Sequence, residues 1–149
     1  MLPGLRSFAE SLNRGTPGLR GSASARVAAG LCYDEPMPAT VAVAALDEFR
    51  RWLTERFGAR LNELKLFGSR ARGEAREDSD YDVLVAVDDL TSAEARSIAH
   101  FTGDLFTVHG VVVSAFAVST GRMRELRERE RLIAHEIDRD GVALNHDRG

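Results

Sequence analysis

A chain of 149 residues, 44% apolar and 29% charged, suits one globular domain with a real core. Its net charge of −3 removes any whole-chain attraction to nucleic acid or to an anionic membrane. No stretch approaches the roughly 18 unbroken apolar residues of a membrane span, and the single cysteine, Cys32, excludes an internal disulfide and a cysteine-built zinc cage.

Taken in chain order, residues 1–36 are rich in Gly, Pro, Ala and Arg, and Glu10 is their only acid before Asp34. That composition has the look of a transit peptide, but it reads better as a flexible tail or an over-extended gene start. Met37 opens a natural beginning, so the domain is expected over 37–149. Thr40 to Phe57 reads as a helix: Val43, Leu46, Phe49, Leu53 and Phe57 recur in steps of three and four, and Gly58 suits the stop. Phe49 and Trp52 are expected in the core.

Leu61 to Phe67 reads as a strand, with Leu64 and Leu66 on one face and Glu63 and Lys65 on the other. Gly68 to Ser79 is a polar turn with room for one helical turn. Asp80 to Val87 is a second strand of strong β-formers. Thr91 or Ser92 can cap a helix to about Phe106. Val111 to Ser119 is almost wholly apolar and is therefore expected as a central strand. Arg122 to Asp138 reads as one amphipathic helix carrying Met123, Leu126, Ile133 and Ile137 on a stripe, with pairs such as Glu125 to Arg129 on its solvated side. Gly141 breaks it, and Val142 to Leu144 can add a short edge strand. The sum is a small α/β fold, a mixed β-sheet packed with helices.

The chemistry concentrates between the first two strands. Gly68 ends a buried strand and, without a Cβ, lets another group approach the backbone. Ser69 adds a hydroxyl and a backbone N–H where a phosphate could sit. Asp80 and Asp82 are two apart on a strand, so both carboxylates project from one face while Tyr81, Val83 and Val85 face the core. Adjacent carboxylates repel unless something neutralises them, and magnesium takes one or two carboxylates together with substrate phosphate oxygens. The spacing expected of an EF-hand, a P-loop, a Rossmann turn, a serine-hydrolase elbow or a His-based zinc site is absent.

Leu66-Phe67-Gly68-Ser69, ten intervening residues and then Asp80-Tyr81-Asp82 resemble the minimal nucleotidyltransferases of the polymerase-β superfamily. The likeness is strongest over Leu64 to Val87 and extends from about Ala44 to Leu144. It implies a polymerase-β palm-like fold. It implies that Gly68 and Ser69 hold the phosphates of a nucleoside triphosphate, and that Asp80 and Asp82 bind magnesium and form the catalytic pair. The reaction implied is transfer of a nucleoside monophosphate, AMP from ATP, to a hydroxyl on a protein or small molecule, with release of pyrophosphate. Some members of this group are antitoxins that adenylylate a helical HEPN toxin. A cytoplasmic, bacterial setting is expected, with no membrane, no nucleic-acid partner and room for self-association.

Arg70 is a candidate for neutralising phosphate. Arg72 reads better as a partner of Glu74, Glu77 or Asp78. One departure stands out: the resemblance implies a third acid on the following strand, and Val111 to Ser119 has none. Ser114 falls near that position, and a serine hydroxyl is a poor metal ligand. Asp104, Asp138 and Asp140 have no specific reason to replace it. The alternative reading is therefore a catalytically degenerate module that binds a nucleotide or a toxin stoichiometrically.

Overall fold

The computed structural model describes residues 39–76 and 78–145; the tail expected over 1–36, Cys32 and Glu77 lie outside them. The elements run α1 (Ala39–Phe57), a 3-10 turn (Gly58–Arg60), β1 (Leu61–Phe67), α2 (Gly68–Arg72), β2 (Tyr81–Val87), α3 (Ser92–His109), β3 (Val113–Ser119), α4 (Thr120–Glu128), α5 (Leu132–Asp140) and β4 (Val142–Ala143). The sheet order is β3-β2-β1-β4. β1 pairs antiparallel with both β2 and β4, and β2 pairs parallel with β3. The mixed α/β sheet expected from the sequence is the one observed.

Helices cover both faces. On one side α1 and α3 bury Ala45, Phe49, Leu53, Ile98 and Leu105 against Leu64, Leu66, Val83, Val85 and Val87. On the other, Met123 of α4 with Ala134 and Ile137 of α5 packs on Phe67 and Leu84. The period-two alternation of β2 explains this division: odd residues enter the first core and even residues face the second layer. Local signals set the element ends. Thr91 caps α3, with its side chain accepting from the Glu94 N–H and the Glu94 carboxylate accepting from the Thr91 N–H. Gly110, at φ 70°, ends that helix in the left-handed conformation.

Three expectations are corrected. β3 is an edge strand and not a central one. Its apolar composition arises because helices cover it above and below, with Ala115 and Ala117 turned to one core and Phe116 and Val118 to the other; a strand can be covered on both faces and still be open at its side. The single helix expected over Arg122 to Asp138 is two helices, parted at 129–131 where Glu130 adopts φ 49°. The break lets Met123 and Ile137 both reach Phe67 and Leu84, so the expected stripe survives as one cluster built from two axes. The charged side of these helices also pairs differently: Glu125 accepts from Arg122 at 2.8 Å. Arg127 binds Glu63 on β1 through two hydrogen bonds of 2.6 and 2.9 Å and also pairs with Asp138. That fork holds the Glu63 carboxyl down at a pKa of about 2, with Arg127 the main cause.

Candidate active site

The first two strands meet at the polar turn. β1 ends at Phe67, whose partner across the ladder is Asp82. Gly68 follows, buried and at φ 74°. A Cβ built there would lie 2.4 Å from Asp82 Oδ2, so the missing side chain is what allows this carboxylate to rest against the start of the turn. Ser69 is the next residue of α2, half-buried, and α2 closes after five residues on Gly73 at φ 72°.

Asp82 is half-buried and Asp80, just ahead of β2, is exposed. Burial first, and then the charges of Asp80 and Glu136, raise the Asp82 pKa above its ordinary value, while Arg72 opposes them. The donor set fits a hard divalent ion: two carboxylates close enough to repel, one of them resting against Gly68, suit a cation completing its shell with phosphate and water oxygens. Among the described residues no group of three or more His, Cys, Asp or Glu comes together as a protein-only metal cage.

The parallel register places Ser114 of β3 directly beside Asp82. The position expected for the missing acid is thus occupied by an exposed serine. None of the three more distant acids replaces it. Asp138 pairs with Arg127, and Asp140 pairs with Arg139 and Arg72. Asp104 lines a groove of about 550 Å³ with Trp52, Arg56 and His100 on the α1 and α3 side of the molecule. Trp52, expected in the core, is at the rim of that groove, stacked on Phe101 at 4.4 Å, whereas Phe49 is buried as expected.

Arg70 has a defined role in the turn. Its Nε and Nη2 both donate to the Ser79 carbonyl, at 3.2 and 2.9 Å. Its guanidinium lies 4.5 Å from the centre of the Tyr81 ring. Ser79 and Tyr81 flank Asp80, so this arginine braces both neighbours of a candidate metal ligand. Arg72 pairs with Glu74 at 2.9 Å, as its sequence context suggested, and lies 3.8 Å from Asp140. Glu136, whose charge reaches Asp82, was missed at the sequence level; it sits on a separate helix and carries no motif. His109 contacts Glu48, Nε2 to Oε2 2.7 Å.

Comparison with known proteins shows the family. The profile of the nucleotidyltransferase domain matches residues 46–139. A protein adenylyltransferase of Thermococcus cleftensis is 49% identical over 47 residues, 32% of this chain and 46% of that protein. The match therefore spans about half the length of that relative. A protein of Methanocaldococcus jannaschii, provisionally named a protein adenylyltransferase, is 32% identical over 75 residues, half of this chain and 71% of its own. A crystal structure of a Sulfolobus solfataricus protein, provisionally named a nucleotidyltransferase, aligns with TM-score 0.45 at 19% identity, covering 76% of this chain and 90% of that one. With the profile covering well over half of its length, this chain belongs to the nucleotidyltransferase domain family.

Proposed function

We propose that the domain transfers AMP from ATP to a hydroxyl on a protein acceptor. The observation that carries this reading is the contact of Gly68 with Asp82, which sets one carboxylate of the candidate pair against the polar turn. The names of the Thermococcus and Methanocaldococcus relatives support the protein acceptor. In this reading Asp80 and Asp82 hold magnesium, which when bound neutralises phosphate charge and favours loss of pyrophosphate. Gly68 admits the triphosphate to the backbone, the Ser69 hydroxyl and N–H bind its oxygens, and Arg70 adds positive charge at the rim while bracing Asp80. The acceptor oxygen forms a bond to the α-phosphorus, the bond from that phosphorus to the bridging oxygen breaks, and pyrophosphate departs. The hydroxyl proton passes to solvent, because Ser114 offers no carboxylate to take it.

The setting inferred with this activity is a cytoplasmic antitoxin acting on a helical HEPN-type toxin, carried by a domain spanning 37–149. No helix among the described residues is long and apolar enough to cross a membrane. A second reading, stoichiometric binding without transfer, is favoured by one observation, the serine beside Asp82.

The test uses magnesium and ATP labelled at the α or the γ phosphate, with wild type beside Asp80→Asn/Asp82→Asn. Transfer of the α label that disappears in the variant is the expected result. No transfer of either label from folded protein selects the stoichiometric reading.

A further inference from the structure

Among the described residues the outer side of β3 is open and the strand pairs with β2 alone. The Tyr81 N–H donates to the Val112 carbonyl at 2.9 Å, which fixes the phase of the strand. Backbone groups of Ser114, Phe116 and Val118 face β2, so those of Val113, Ala115 and Ala117 face outward. Among the described residues these outward groups meet no partner strand.

Natural sheets usually blunt such an edge with charge, proline, a bulge or a cover. Here the strand reads VSAFAVS, seven residues without charge or proline, in unbroken register with β2. Large apolar side chains stand exposed just ahead of it: Phe106 at 56% and Val108 at 71% on the end of α3, and Val112 at 44%. A row of alternating donors and acceptors at strand spacing is complementary to one class of ligand, an extended polypeptide backbone.

Position selects which polypeptide. Ser114 lies in register beside Asp82 and is small and exposed. A strand added outside β3 would run about 4.8 Å beyond Ser114 and roughly 10 Å from Asp82. Its side chains on that face would look across Ser114 toward the phosphate end of the site. We infer that the outer edge of β3 docks the acceptor: an extended, uncharged segment of a protein adds as a fifth strand and presents its hydroxyl across Ser114. This rests on the nucleotidyl-transfer reading above.

The test compares the full-length chain with Ala115→Pro and Ala117→Pro, each of which removes one outward N–H and no internal hydrogen bond. Val108→Glu, on an exposed helix end, serves as the variant least able to disturb folding. Circular dichroism checks the fold, titration with magnesium-ATP measures nucleotide affinity, and α-labelled ATP in host lysate measures transfer to protein. The expected result is at least a tenfold loss of protein labelling with nucleotide affinity unchanged. Wild-type labelling by all three variants would overturn the docking edge and leave the transfer reading standing. A wild-type dimer by sedimentation that the proline variants convert to monomer would give the edge to a second copy and overturn acceptor docking. If wild type transfers no α label, both readings fall.

Discussion

The two faces of β2 are finished differently. Tyr81, Val83, Val85 and Val87 point into the core made with α1 and α3, and all are buried. On the opposite face Leu84 is fully buried beneath α4 and α5, but Asp82, one alternation away, is half open and its lateral neighbour Ser114 is exposed. α4 and α5 reach Leu84 and also Phe67, the ladder partner of Asp82, so this layer comes up beside Asp82 without burying it. One face supplies a dry core, and the candidate site lies where the other stays open.

Substitutions on the two faces should therefore separate activity from stability. The largest effect is expected from Asp82→Asn, which should lower transfer on the order of 10⁴-fold, the several kcal/mol that a metal supplies, with the melting temperature little changed. Retained transfer would remove Asp82 from the chemistry and with it the division between the faces. Phe49→Ala, on the closed face, should do the reverse. It deletes a fully buried ring that also stacks on Phe101 at 6.0 Å, and it should cost about 3–5 kcal/mol in denaturant melts while leaving activity per folded molecule intact. A fall in that specific activity would show that the two layers are coupled.

Ser114→Asp sharpens the picture of the open face. It puts a carboxylate beside Asp82, where the register leaves a hydroxyl, and should raise the initial rate of transfer by about tenfold or more if proton removal limits it. An unchanged rate would mean that acceptor activation does not run through β3. The smallest effect belongs to Glu63→Gln, at the covered end of the same face. Weakening the fork to Arg127 should cost about 1 kcal/mol near neutral pH. The Glu63 pKa is depressed on folding to about 2 from 4.5, so its contribution is complete above pH 4.5 and is lost as pH falls toward 2. Wild-type and variant stabilities should converge over that window, and a gap that persisted at pH 2 would assign the effect to packing.

Much of this molecule was determined by local sequence. The apolar steps of α1, the span of β1, the Thr91 cap and the division of β2 into two faces all follow from periodicity and capping, which act over a few residues and leave their mark in order along the chain. The spacing of Gly68, Asp80 and Asp82 was likewise readable, because β1 and β2 are consecutive antiparallel strands and their pairing brings the ends of one short turn together. Three things were decided only by the tertiary structure. β3 lies at the edge because strand order is a property of the whole sheet, and burial by helices gives an edge strand the same composition as a central one. α4 and α5 part at Glu130 because two axes are needed to seat Met123 and Ile137 on the same pair of residues. The approach of Glu136 to Asp82 and the brace from Arg70 to Ser79 depend on elements meeting in space, whereas Ser114 lies beside Asp82 as the resemblance implied. Neither periodicity nor spacing carries that information, since such contacts are set by the packing of separately formed pieces.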